Sequence, residues 1–207
     1  LFSHLAASED TNEVDFTNSQ IDSFNSIAKN FENKIGYKPW LHLCNTSGVI
    51  NYPKAHFDMV RCGIGLYGFG NSVKEDSNLK PIASLKSVIS QIHNIEPNET
   101  VGYNRAYISK EFEKTATIPI GHADGINRIY GNGNGFVIIN GKKAPIIGNV
   151  CMDMIMVNIT NIDCKEGDEV IIFDSKHKAA DLAESAKTIS YEIITSISQR
   201  VKRSIIK

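Results

Sequence analysis

V-G-Y-N-R-A-Y (101–107), I-P-I-G-H-A-D-G (118–125) and G-N-V-C-M-D-M-I-M-V (148–157) lie in one stretch of this chain, and the reading of that stretch decides the fold. A tyrosine follows a glycine in the first segment, and a Cys-Met-Asp step opens a strand in the last. The surrounding residues are patterned as strands. L-K-S-V-I-S-Q-I-H-N-I (85–95) alternates, T-A-T-I-P-I (115–120) is a strand interrupted at Pro119, and G-D-E-V-I-I-F (167–173) is another. In F-V-I-I-N-G-K-K-A-P-I-I (136–147), Asn140-Gly141 between apolar runs predicts a hairpin. G-N-G-N-G (131–135) reads as a surface turn, and 179–197 as one or two helices. A mainly-β domain is expected.

Upstream the pattern changes. Residues 2–7 read as a short buried strand and 8–13 as a polar loop. Thr17 is placed to cap a helix whose apolar face is Ile21, Phe24, Ile27, Ala28 and Phe31, running to about Asn33. Gly36 and Pro39 end it. W-L-H-L-C-N (40–45) is a second buried strand, and C-G-I-G-L-Y-G (62–68) a third. Strand–helix–strand alternation predicts a parallel arrangement. It fits the last strands of a (β/α)8 barrel, too few to close one: an α/β barrel remnant. The polar run 71–78 is the linker candidate, which predicts domains over 1–75 and 76–207. The chain opens on Leu1 as if a strand were already in progress, so a fragment lacking its N-terminal part is expected.

A net charge of −1 supplies no basic field for nucleic acid or an anionic membrane. No apolar run approaches the roughly 20 residues needed to span a bilayer, and no secretory leader pattern is present. Cys44, Cys62, Cys151 and Cys164 are widely spaced without a C-x-x-C. That predicts buried apolar thiols in a reducing cytoplasm, with neither a zinc site nor a disulfide scaffold.

Several residues could carry chemistry, each with a plainer explanation beside it. His4 and His42 sit on strands, where histidines are usually structural. Arg61, at the start of the third strand, must find acceptors because its charge cannot be given up; an ion pair would suffice. Gly63, Ile64 and Gly65 could let backbone N–H groups approach an anion, or could serve tight packing. Asn45-Thr46-Ser47 offers phosphate donors or a helix cap. Tyrosines ionise near pH 10, so Tyr103 needs cationic or hydrogen-bonding neighbours before it can take a proton at neutral pH. Met152, Met154 and Met156 recur at period two, the spacing of a core stripe, with Asp153 on the opposite face. His122 opens a turn that either lines a pocket or does not.

S-H-L-A-A-S-E-D (3–10), H-L-C-N-T-S-G (42–48), H-F-D-M-V-R-C-G-I-G-L-Y-G (56–68), V-G-Y-N-R (101–105), I-P-I-G-H-A-D-G (118–125), A-P-I-I-G-N-V-C-M-D (144–153) and I-S-Y-E-I-I-T-S-I-S-Q-R-V-K-R (189–203) occur in one order. In that order they resemble the second half of alanine racemase, a pyridoxal 5'-phosphate enzyme, over nearly the whole chain. N-T-S-G-V-I-N (45–51) and R-C-G-I-G-L-Y-G (61–68) further resemble racemase halves fused downstream of a muropeptide D-alanyl-D-alanine-adding ligase.

The resemblance implies a cofactor-binding barrel, a C-terminal β-domain and a head-to-tail homodimer with shared sites. It implies interconversion of L- and D-alanine for peptidoglycan by two bases, a lysine and a tyrosine. Tyr103 matches the tyrosine, Arg61 the arginine that donates to the pyridine nitrogen, and His4 the histidine bridging them. Met152 matches the residue whose backbone meets the substrate carboxylate. His122 matches a position at the mouth of the pocket. Asn45, Thr46, Gly63, Ile64 and Tyr191 match positions around the phosphate.

Departures count as well. The family usually has tyrosine where His122 stands, serine where Thr46 stands and proline where Lys202 stands. No segment here matches the one carrying the family's cofactor lysine, so the isolated 207-residue span is expected to be inactive. A racemase of another amino acid such as serine, and a non-catalytic folding or dimerisation module, remain as alternatives.

Overall fold

The computed structural model describes residues 1–206. The chain divides into two units, Leu1–Ile82 and Ala83–Lys207.

In the first unit, three extended segments lie parallel. Phe2 bridges His42, and His42 bridges Met59. These are single bridges rather than the full strands predicted, yet backbone bonds extend the pairing on to Arg61, whose N–H donates to Cys44 O at 3.1 Å. Leu5, Leu43 and Cys44 turn inward onto Phe24 and Ala55. The long connection is α1 (Val14–Ile35). It begins earlier than predicted. Asp10 accepts from Asn12 N–H and caps a 3-10 turn, Thr11–Glu13, that leads into it. Thr17 is buried inside the helix, where its hydroxyl donates to Ala7 O. Gly36, at φ 78°, closes the helix by donating to Glu32 O. The second segment runs into α2 (Thr46–Asn51), capped by Asn45.

Two further expectations fail in this unit. Residues 62–68 form no strand. The paired segment precedes Arg61, and Ile64–Tyr67 is a 3-10 turn closed by Gly68 at φ 83°. Residues 71–78 are not a loose linker either. They contain α3 (Val73–Asp76), and Glu75 is fully buried. Its carboxylate accepts from Ser47 Oγ at 3.0 Å, Asn51 Nδ2 at 2.6 Å and Asn71 N–H at 2.7 Å. A polar run looks like a linker until its one buried acceptor is seen tying it to α2.

The second unit is a seven-stranded antiparallel sheet. Its strands are β1 (Leu85–Val88), β2 (Gln91–Ile95), β5 (Glu113–Ile118), β6 (Phe136–Ile139), β7 (Lys142–Ile147), β8 (Ile155–Asn158) and β9 (Glu169–Phe173), in the order β1-β9-β6-β7-β8-β5-β2. A separate two-stranded ribbon pairs β3 (Thr100–Val101) with β4 (Tyr107–Ile108). Asn140 and Gly141, both at positive φ, make the predicted hairpin turn between β6 and β7. The run 85–95 is two strands, because Ile89 N–H donates to Asp168 O while Ser90 N–H donates to Thr117 O. The chain crosses from β9 to β5 at that step. Two short helices follow, α4 (Ala179–Ser185) and α5 (Ser190–Ser196).

The methionine stripe is not core. Strand β8 starts only at Ile155 and buries Ile155 and Val157, which leaves Met152 and Met154 exposed. Of the cysteines, Cys44 is buried, Cys62 is exposed and the other two are half-buried. No helix among the described residues is long and apolar enough to cross a membrane.

Two predictions follow from buried polar groups. Glu75→Ala removes the shared acceptor of Ser47 and Asn51 and should destabilise the protein by about 3 kcal/mol in denaturant unfolding. Burial and the nearby Glu192 charge push the Tyr130 phenol up to about 12. Its unfolded value is near 10, so its contribution to stability is complete below that pH and is lost as pH rises toward 12. Stability measured across that window should fall less steeply in Tyr130→Phe.

Candidate active site

Arg61 lies just past the third parallel segment, where sites collect in parallel barrels. Its Nη1 meets His42 Nδ1 at 2.7 Å, and its Nη2 meets His4 Nδ1 at 3.2 Å. Nη2 also donates to Ser3 O at 2.8 Å and Leu43 O at 3.2 Å. Guanidinium only donates, so both Nδ1 atoms accept, and each neutral imidazole carries its proton on Nε2. Desolvation and the Arg61 charge lower the His42 pKa, consistent with that neutral acceptor. Phe2 stacks on His42 and lies under the guanidinium. Arg61 Nε has no acceptor among the described residues. The arginine is thus clamped at one end and keeps one donor in hand.

Beside it, α2 and the 63–65 loop converge on one hydroxyl. Thr46 Oγ1 accepts from Gly63 N–H at 3.2 Å and Gly65 N–H at 3.3 Å. Asn45 Oδ1 accepts from Ser8 Oγ and from Gly48 N–H. Ile64 is buried beneath the loop, and the Cα of Gly63 faces open space. A Cβ on Gly65 would come within 2.7 Å of Thr46 Cγ2. Asn45, Thr46, Gly63 and Ile64 are therefore brought together as predicted. Gly65 and His42, each read from the sequence with a plainer structural explanation, lie against Thr46 and Arg61. The close approach of Thr46 to Gly65 is a tertiary contact that residue types do not announce.

In the second unit, Tyr103 stands between β3 and β4 in the 3-10 turn Tyr103–Arg105, 73 % exposed. Gly102, Asn104 and Arg105 all have positive φ, a strained backbone of the kind kept at functional loops. Asn149 Nδ2 holds Tyr103 O at 3.0 Å. Below the turn, Tyr107 donates its hydroxyl to Glu113 at 2.5 Å, and Asn158 Nδ2 donates to the same oxygen at 2.7 Å. Burial, then the Glu113 bond, raises the Tyr107 pKa, so this phenol stays a donor. The ribbon carrying Tyr103 is anchored at both ends while its ring stays in solvent.

His122 opens the 3-10 turn His122–Asp124, which is stitched to the Cys-Met-Asp segment. His122 N–H donates to Cys151 O and Ala123 N–H to Met152 O, both at 2.9 Å. Met152 is 56 % exposed, and its N–H has no acceptor among the described residues. Tyr191 is half-buried on α5, its carbonyl accepting from Thr195 Oγ1.

Residues 82–205 match the family described as alanine racemase, C-terminal domain, and residues 1–70 match alanine racemase, N-terminal domain. The chain belongs to the alanine racemase family. Alanine racemase 1 of Clostridium acetobutylicum is 39 % identical over 215 residues, covering 100 % of this chain and 55 % of that protein. A crystal structure of the Bacillus anthracis alanine racemase with bound L-Ala-P superposes with a TM-score of 0.90 at 31 % identity, over 100 % of this chain and 54 % of that one. The Bartonella henselae alanine racemase, solved with covalently bound pyridoxal phosphate, gives 0.83 at 32 % identity, over 100 % and 56 % of the two chains. The chain spans about half the length of the curated relatives it matches.

The donor set fits such a cofactor. A spare guanidinium N–H suits a pyridine nitrogen, and the Thr46 hydroxyl, accepting from Gly63 and Gly65 N–H, keeps its own proton to donate to a phosphate. The two loop glycines should behave differently under substitution. Gly65→Ala forces Thr46 aside and should cost about 1–3 kcal/mol in denaturant unfolding, while Gly63→Ala, facing open space, should cost far less.

Proposed function

We propose that the protein carrying this chain interconverts L- and D-alanine in the cytoplasm with pyridoxal 5'-phosphate, for peptidoglycan synthesis. The observation that carries this reading is Tyr103: an exposed phenol on a strained turn whose backbone is pinned by Asn149. The family membership supplies the reaction class.

In this reading Arg61 donates through its free N–H to the ring nitrogen. Because guanidinium keeps its proton, that nitrogen stays unprotonated. Thr46, with Asn45, Gly63 and Ile64, would hold the phosphate, which is a positioning role. When bound, the pyridoxal ring supplies an electron sink for the carbanion left when the α-proton departs. Arg61, which keeps its own proton, would leave that sink weaker than a carboxylic acid at the same place would. Met152 N–H binds the substrate carboxylate and orients the Cα–H bond. Tyr103 moves a proton at Cα on one face, and His4, donating from Nε2, supports the phenolate between steps.

Tyr103 serves the site of a second copy, as the family's homodimer implies. The other base is a lysine with no match among these 207 residues, so the span by itself offers one base and should not racemise alanine. In the full-length protein, Tyr103→Phe should lower racemisation by about 10²–10⁴-fold. Exchange of the α-proton in D2O should persist for one enantiomer only, through the remaining base. Near-normal racemisation by Tyr103→Phe, followed by optical rotation, would sink the assignment.

A further inference from the structure

Three segments far apart in sequence meet at Arg200. Its Nε donates to Asp124 Oδ1 at 2.7 Å and its Nη2 to Asp124 Oδ2 at 3.2 Å. Nη2 also reaches Asp153 Oδ1 at 2.5 Å. Asp124 is 8 % exposed and accepts a further bond from Gly121 N–H at 2.8 Å. Burial alone would raise its pKa, but the Arg200 bonds, the Gly121 N–H and the Arg200 charge lower it overall. Two further bonds fasten the tail to the loop that carries Asp124. Ser198 N–H donates to Asp124 O, and Ser196 Oγ donates to Gly125 O.

Met152 lies inside this frame. Its carbonyl is taken by Ala123, and its neighbour Asp153 is gripped by Arg200. A Cβ on Gly121 would come within 2.5 Å of Met152 O, so the two loops are in backbone contact. Its N–H meets no acceptor among the described residues. Such an amide attracts a carboxylate only as well as its peptide plane is held, and the side chain spanning both flanking loops is Arg200. Arginine suits the task because its rigid fork meets two oxygens of Asp124 and still reaches a third carboxylate oxygen; lysine offers a single point charge.

We propose that Arg200 is a positioning residue that fixes the Met152 amide and thereby sets affinity for the carboxylate of an amino-acid substrate. The proposal rests on the reading of Met152 given above. Arg200 touches no reacting atom, so its loss weakens substrate and transition state alike and appears in KM rather than kcat.

The test uses the full-length protein with its cofactor. Arg200→Gln, Arg200→Lys and Asp153→Asn are compared for KM and kcat with alanine and for inhibition by propionate, which presents a carboxylate without an amine. Arg200→Gln should raise KM and the propionate Ki together, by about tenfold, with kcat changed less than about threefold. Arg200→Lys should recover part of the loss. Asp153→Asn removes a single bond, serves if Arg200→Gln does not fold, and should show the same split at smaller size. An unchanged KM, a fall in kcat alone, or a KM rise with unchanged propionate inhibition each overturns the proposal. Failure of the unaltered protein to racemise alanine or to bind propionate instead refutes the underlying reading of the site.

Discussion

A guanidinium cannot surrender its charge, and the first unit is arranged around that constraint. Arg61 draws acceptors from the backbone of Ser3 and Leu43 and from the imidazoles of His4 and His42. These acceptors lie on the first and second of three parallel segments, and Arg61 follows the third. The pairing of the segments is sparse, yet the arginine fastens all of them with charge-assisted bonds. The same bonds fix the tautomers of both histidines. A group that had to be neutralised by neighbours thus orients those neighbours for chemistry.

The second unit solves the analogous problem with carboxylates. Asp124 and Glu113 are both buried, and each is surrounded by donors from separate segments. Glu113 ties the ribbon that carries Tyr103 to β5 and β8, and Asp124 ties the tail to the loop beside Met152. Tyr103 and Met152 themselves stay exposed. The rigid sheet beneath supplies the positions, and the polar ties transmit them to the loops.

Much of this was legible in the order of residues. Asn140-Gly141 forecast its hairpin because a two-residue turn of that hand demands positive φ at both positions. Asn45-Thr46-Ser47 could be read as a helix cap, and Asn45 does cap α2. The errors have physical causes too. Period-two methionines look like a core face, but Met152 and Met154 precede the strand, and the buried register belongs to Ile155 and Val157. Residues 71–78 look like a linker because a fully satisfied buried carboxylate has the same letters as a solvated one. Asn149 and Arg200 escaped notice because their partners lie far away in sequence.

The sequence by itself determined the family, the mainly-β character of the second unit and its Asn140-Gly141 hairpin. Those follow from local preferences and from motifs whose residues are near one another. Only the tertiary structure decided which donors are spent and which are left over. Among the described residues Arg61 Nε and Met152 N–H meet no acceptor, and that outcome is settled by long-range contacts that local residue order does not contain.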